Sequence, residues 1–259
     1  MIKKILIPFF ALIAGLVMAH SSYCEEGLEL YAIKYGESGY PSKYIYHGDR
    51  TKRLLDFAWM FYLIKYRDKT ILVDTGFSDR RMADAYHVDH TNPLTILRQM
   101  GVPPEDVTDV IITHSHFDHI GNVDKFPEAH IYIQEDELDG FLRSNKNVSL
   151  KGFFHENRER IRTFDTSFVL LDFFHITRIG GHTVGSSVVS FKHNNREYVL
   201  VGDECYLLDN YVSQKPIGTY YDIQKNKMFL AGLKKIPGVV VLTFHDPSIV
   251  GKMPFKRII

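Results

Sequence analysis

Val-Thr-Asp-Val-Ile-Ile-Thr-His-Ser-His-Phe-Asp-His-Ile-Gly, residues 107–121, decides how the rest of the chain is read. Val107, Val110, Ile111 and Ile112 are β-branched and give way abruptly at Thr113, the pattern of a short core strand covered on both faces. His114, His116, Asp118 and His119 then fall within six positions. Three imidazoles and a carboxylate are the mixed nitrogen and oxygen set that zinc and similar cations prefer. An isolated loop histidine would carry no such weight; four such side chains directly after an apolar strand do. Residues i and i+2 of an extended turn project to one side, so His114 and His116 can share one cation. Asp118 and His119, past the bend, can face a second. The helical His-Glu-x-x-His spacing does not occur.

Around that stretch strands and helices alternate. Leu28 to Tyr35, Phe57 to Tyr66 and Lys69 to Asp74 are rich in aromatic and β-branched residues and predict an antiparallel start to a sheet, with Arg67-Asp68 as a tight turn. Gly36 to Arg50 reads as a loop in which Pro41 breaks any helix. Its Tyr40, Tyr44, Tyr46 and His47 either line a substrate pocket or pack down over the core. Thr91-Asn92-Pro93 opens a helix whose apolar stripe, Leu94, Leu97 and Met100, ends at Gly101. His87 and His90 before it read as solvated loop histidines. Gly121 to Phe126 and Glu135 to Phe141 predict short helices around a strand over Ala129 to Ile133. Lys146 to Thr163 is a connecting loop or helix whose Phe153 and Phe154 either meet an apolar substrate tail or pack into the core. Phe168 to Leu171, Phe173 to Ile179, Ser186 to Phe191 and Glu197 to Val201 form a second run of strands, with Asn194-Asn195 in a hairpin turn. Asp222 to Lys235 is an amphipathic helix closed by Pro237-Gly238, and Val239 to Thr243 is the final strand. Such alternation defines an α/β chain.

Lys3 and Lys4, the uncharged run from Ile5 to Ala19 and the small, polar residues to Ser22 have the order of a secretory signal peptide over residues 1–22. Export to a periplasmic or extracellular location follows; an uncleaved membrane anchor is the alternative, although the run is short for a spanning helix. The about 235 residues from 23 to 259 suffice for one large domain. Lysine plus arginine and aspartate plus glutamate number 31 each, without a basic run, so nothing supports a nucleic-acid partner. Cys24 and Cys205 are too few for a disulfide scaffold, and whether they pair is left open. Cys205, two places after Asp203, reads as a small buried residue.

The motif His114-x-His116-x-Asp118-His119 resembles the signature of the metallo-β-lactamase-fold hydrolases, and the resemblance covers nearly all of the chain beyond the leader. It implies a four-layer αβ/βα sandwich and further ligands in a fixed order. His182 in Gly-Gly-His-Thr-Val-Gly-Ser matches the third ligand of a first metal. Asp203 in Val-Gly-Asp matches a carboxylate bridging both metals, and His245 in Thr-Phe-His-Asp matches the last ligand of the second. The family's Val-Asp-Thr-Gly aspartate, here Asp74, supports an imidazole from behind. Two divalent ions, zinc foremost, are therefore the implied cofactors.

Two dications, two aspartates and a bridging hydroxide leave a positive centre that activates water and polarises a carbonyl. Hydrolysis of a carbonyl compound, an ester, lactone, thioester or lactam, is the simplest reading, and the resemblance implies a small-molecule lactone or ester with an apolar tail. Within the superfamily the pattern is most similar to the N-acyl homoserine lactone lactonases, the quorum-quenching enzymes, through Phe117, Phe244-His245-Asp246 and Tyr206 three residues after Asp203. The resemblance implies that Tyr206 stabilises the oxyanion and that Asp118 passes a proton to the leaving alkoxide. The segment after Val-Asp-Thr-Gly is shorter than in well-known lactonases, and the leader is a second difference; a homodimer stays open. Rival readings are a glyoxalase II-like thioesterase, whose basic glutathione-binding residues are not identifiable here, and a zinc β-lactamase, the commonest of which carry cysteine at the Asp203 position or ligate the second metal differently. A binding module on the same fold would have lost ligands.

Overall fold

The computed structural model describes residues 27–144 and 147–259, so the leader at 1–22 and Cys24 lie outside the described residues. Its strands are β1 (Glu29–Pro41), β2 (Leu54–Tyr66), β3 (Lys69–Val73), β4 (Asp89–His90), β5 (Asp109–Ile111), β6 (His130–Gln134), β7 (Ile161–Phe164), β8 (Ser167–Leu170), β9 (Phe174–Arg178), β10 (Ser187–His193), β11 (Arg196–Leu200), β12 (Val240–Leu242) and β13 (Phe255–Arg257). One sheet has the order β13-β1-β2-β3-β5-β6-β7 with β4 on β1, and the other β12-β11-β10-β9-β8. β3, β5, β6 and β7 run parallel, as do β11 and β12. The helices are α1 (Ser42–Ile45), α2 (Arg80–Ala85), α3 (Pro93–Gln99), α4 (Phe117–Ile120), α5 (Glu135–Arg143), α6 (Val148–Glu156), α7 (Leu208–Val212) and α8 (Ile223–Leu233).

The layers follow from strands that are apolar on both faces. Phe57, Trp59, Phe61 and Leu63 of β2 pack with Ile96 and Leu97 of α3 and Leu150 of α6. The alternate residues Ala58, Met60, Tyr62 and Ile64 pack with Phe174, Ile176, Val189 and Leu200 of the second sheet. That sheet's other face, Val188, Val199 and Val241, meets Phe229, Leu230 and Leu233 of α8. Helix, sheet, sheet and helix make the four-layer αβ/βα sandwich. The Asn194-Asn195 turn has positive φ at both residues, 48° and 60°, as a tight hairpin requires. Among the described residues no helix is long and apolar enough to cross a membrane.

Two expectations are corrected and one open alternative is decided. Gly36 to Pro41 is not loop: β1 continues through a register shift between Lys34 and Gly36 and pairs Tyr40 with Leu55. Gly36 lies where a Cβ would strike Val88, and Pro41 ends the strand rather than interrupting it. The short helix expected over Gly121 to Phe126 begins earlier, as α4, and Val123–Lys125 forms a separate 3-10 turn. Phe154 is buried in the core and Phe153 lies under the Arg160 guanidinium at 5.4 Å, so these rings pack inward and not against a substrate tail.

Candidate metal centre

All seven side chains singled out by sequence converge beyond the C-terminal ends of strands, the place where α/β sheets build their sites. His114, His116 and α4 follow β5, His182 lies in the β9–β10 connection, Asp203 follows β11, and His245 follows β12. His116 is extended (φ −68°, ψ 153°) and α4 starts directly after it, so Asp118 and His119 join a second set, with the His119 ring still 4.0 Å from that of His114. His114, His116, His182 and Asp203 form one set of ligand atoms and Asp118, His119 and His245 a second, each within 4.8 Å.

In the first set His116 Nδ1 is 3.1 Å from His114 Nε2 and 3.0 Å from His182 Nε2. Asp203 Oδ2 is 3.6 Å from His114 Nε2 and 3.3 Å from His182 Nε2. In the second, His119 Nε2 is 3.3 Å from Asp118 Oδ2 and 3.2 Å from Asp203 Oδ1. His245 Nε2 is 3.0 Å from Asp203 Oδ1 and 3.7 Å from Asp118 Oδ2. The two oxygens of Asp203 thus divide between the sets. Metal–ligand bonds of about 2.0–2.1 Å in tetrahedral geometry place ligand atoms about 3.3 Å apart, the spacing found here.

Outer hydrogen bonds set which nitrogen faces inward. His182 Nδ1 donates to the Thr219 carbonyl and His245 Nδ1 to that of Ala58, both at 2.9 Å. His119 Nδ1 meets Asp74 Oδ2 at 2.7 Å. His114 Nδ1 contacts Thr113 Oγ1 at 3.1 Å, and that hydroxyl donates to Asp74 Oδ2 at 2.7 Å. These four rings therefore turn Nε2 to the centre, where His116 turns Nδ1. A lone pair facing a carboxylate oxygen, as His245 faces Asp203, calls for a cation between them. His119 Nε2 is buried without a hydrogen bond among the described residues. The residues fit a pair of divalent cations.

Charge and burial agree with this. Burial, then the neighbouring rings, holds His114 well below the usual imidazole range, and burial and His182 lower His116 to about 4. Both rings stay neutral, as ligands must be. Burial alone would lower His119, but the carboxylates of Asp118, Asp203 and Asp74 raise it. Asp74 is buried at the end of β3 in a left-handed conformation, φ 64°, which aspartate tolerates better than most residues. Sequence singles out its Val-Asp-Thr-Gly setting; its bond to Thr113, and through it to His114, had no sequence signal.

The two sets lie at the floor of a cleft of about 1270 Å³ lined by Tyr40, Phe57, Trp59, Tyr86, Phe117 and Tyr206 among others. Phe57 stacks on His245 (4.1 Å between ring centres) and on Tyr40 (4.4 Å), so Tyr40 belongs to the pocket wall. Tyr44 lines the cleft too, whereas Tyr46 lies against Lys215 and His47 against Tyr220. Tyr206 is buried, its ring 5.7 Å from that of His182 and 5.6 Å from that of His245. Burial, then Asp203, raises its hydroxyl pKa well above the usual value; it stays a protonated donor. Cys205 is buried with Sγ on the Leu207 carbonyl and belongs to neither ligand set.

Fold and site define a class, and the chain belongs to it: the metallo-beta-lactamase superfamily, matched over residues 60–223. Among individual proteins, it is 26% identical over 196 residues to an N-acyl homoserine lactonase, AiiB, of Agrobacterium fabrum, covering 62% of this chain and 68% of that one. A solved quorum-quenching N-acyl homoserine lactone lactonase superposes with a TM-score of 0.74 at 21% identity, over 87% of this chain and 95% of that one. An N-acyl homoserine lactone hydrolase, solved with the product N-hexanoyl-L-homoserine bound at its catalytic metal center, superposes at 0.72 and 20% identity over 85% and 94%.

Proposed function

We propose that this chain is a dinuclear-metal hydrolase that opens a lactone ring, of an N-acyl homoserine lactone or a similar ester, with Tyr206 assisting at the carbonyl oxygen. Zinc suits a centre of imidazoles and carboxylates. Two such cations, when bound, supply a water-derived nucleophile near neutral pH and polarise the carbonyl. His114, His116, His182 and Asp203 would hold one cation, and Asp118, His119 and His245 its neighbour.

The observation that carries this reading is the seat of Tyr206, one of whose flanking imidazoles comes from each ligand set. A carbonyl drawn to the floor of the cleft meets a neutral hydroxyl that hydrogen-bonds the oxygen as negative charge develops on it. Asp118 lies beside His119 and lines the cleft. It takes the proton of the attacking water and returns it to the ring oxygen as the bond to the acyl carbon breaks. The product is an open hydroxy acid. The aromatic wall gives an apolar acyl tail a surface to bury.

The thioesterase alternative is less well matched. Among the described lining residues Arg81 is the one arginine, and it is paired with Asp79 at 2.9 Å, leaving glutathione carboxylates without a free cation. The names of the lactonase relatives support the same choice. The test is a pH-stat screen of acyl homoserine lactones, S-lactoylglutathione and a cephalosporin against zinc-loaded protein, with Asp203→Ala as blank. Lactone opening alone is expected; full zinc occupancy with no turnover of any of the three would leave a binding module instead.

A further inference from the structure

Two glutamates outside the seven-residue constellation hold the frame of one ligand set and not of the other. Glu137, in the first turn of α5, is buried. Its Oε1 accepts from the Ser115 amide at 2.8 Å and hydroxyl at 2.6 Å, and Ser115 stands between His114 and His116. Its Oε2 accepts from the Thr183 hydroxyl at 2.6 Å and the Gly185 amide at 2.9 Å, just after His182. Glu204, beside Asp203 and fully buried, faces the same loop from the opposite side. Its Oε1 accepts from the amides of Gly181 (2.8 Å) and His182 (2.9 Å) and the Ser186 hydroxyl (2.6 Å), and its Oε2 from Asn226 Nδ2 (2.9 Å). The loop is built for this approach. A Cβ on Gly181 would collide with the Glu204 carboxylate, and one on Gly185 with Gln134 and Glu137.

Resting on the two-cation reading above, we infer that Glu137 and Glu204 are positioning residues for the first cation: they tie the backbones of His114, His116, His182 and Asp203 into one frame and place two negative charges behind it. Among the described residues neither carboxylate has a lysine or arginine partner, and only neutral donors meet them. A buried charge compensated in that way is costly unless a cation is near. The second set is held differently, by Asp74 and the Ala58 carbonyl. Removing either glutamate charge therefore weakens the first cation more than the second, which shares only Asp203 with this frame.

The two positions also differ in severity. Each oxygen of Glu137 faces an amide N–H, so an amide nitrogen from glutamine meets a donor in either orientation. In Glu204→Gln the amide nitrogen turned toward Asn226 also meets a donor, Nδ2–H, but a single side-chain donor rather than a backbone amide, and the more heavily bonded oxygen is kept. Glu137→Gln is thus the harsher change.

The test is calorimetric zinc titration of chelator-treated wild type, Glu137→Gln and Glu204→Gln, the two binding steps being assigned with His116→Ala and His245→Ala. Expected is a loss of about 10–100-fold in affinity at the first-set step, larger for Glu137→Gln, with a smaller loss at the other step, which shares Asp203. Expected too is a metal-free stability to urea lowered less by Glu204→Gln than by Glu137→Gln. Equal losses at both steps, with lowered metal-free stability, would reduce the glutamates to fold-holding residues and overturn the inference; unchanged affinities would do the same. If Glu137→Gln does not fold, Ser115→Ala and Thr183→Val each remove one hydroxyl from the same carboxylate and must weaken the same step. Wild-type protein that takes up no zinc would remove the two-cation reading itself, whereas two zinc ions bound with indifferent variants would remove only the role given to the glutamates.

Discussion

Replacing Asp74 with asparagine removes one buried charge and keeps the shape. The aspartate accepts three hydrogen bonds of 2.7 Å, from the Thr113 amide on Oδ1 and from the Thr113 hydroxyl and His119 Nδ1 on Oδ2. An asparagine oxygen at the Oδ1 position turns the amide nitrogen toward His119 Nδ1–H, donor against donor; the opposite orientation sets it against the Thr113 amide. The first conflict is relieved when His119 moves its proton to Nε2, the nitrogen aimed at Asp118 and Asp203, and the ring then has no lone pair for a cation. A hydrogen bond to a charged group contributes about 1.5–3 kcal/mol, so affinity at the second set should fall about 10–150-fold. The first set keeps its four ligands and is reached only through the Thr113 hydroxyl on His114, so its affinity should fall less than that of the second. Zinc calorimetry on chelator-treated Asp74→Asn reads both steps, and nitrogen NMR of His119 reads its tautomer. A second-set step equal to wild type, with His119 still protonated on Nδ1, would refute the idea that Asp74 sets the ligand by holding that proton.

Tyr206→Phe removes the oxyanion donor without touching a metal ligand: kcat on the best lactone should drop about 10²–10³-fold at unchanged zinc content, and a drop below about 3-fold would take Tyr206 out of the mechanism. In chelator-treated protein the His116 pKa lies at about 4, below the ordinary 6.5, because burial disfavours its charge. The unfolded chain therefore binds the extra proton between those values, and the stability is fully present above 6.5 and lost as pH falls toward 4. That loss is about 2 kcal/mol between pH 7.5 and pH 5, and urea midpoints should fall less steeply with acid in His116→Asn; parallel slopes would contradict it. Phe57→Ala opens the stack between Tyr40 and His245 and should cost about 3–5 kcal/mol, measured by urea unfolding of the zinc-loaded protein.

The parts of this molecule legible in sequence are those where one short stretch carries its own reason. Val110 and Ile111 declare a strand buried on both faces, and the histidines after it announce their chemistry by density. Their sorting into two sets was readable as well, from the bend of the chain after His116. β1 was misjudged because Gly36, Gly39 and Pro41 punctuate it as a loop would be punctuated, while the forces that keep it extended, pairing with β2 and β4 and the stack of Tyr40 on Phe57, are non-local. The short β4 and β13, and α7, have too few residues to show a period.

Glu137 and Glu204 were invisible for a different physical reason. A glutamate in Glu-Asp-Glu at a helix start reads as a complement to the helix dipole, and one after Asp203 reads as a polar loop residue. Neither context separates a solvated carboxylate from one sunk among amide donors. What marks them in space is the glycines opposite: Gly181 and Gly185 flank His182 and leave room for two carboxylates to reach backbone amides. Sequence therefore exposes the atoms that would touch a cation and conceals those that fix where the atoms stand. The concealed groups are backbone-directed and singly spaced, so they can differ between relatives that share every ligand, and it is there that members of one superfamily can set unequal grips on two cations with the same seven side chains.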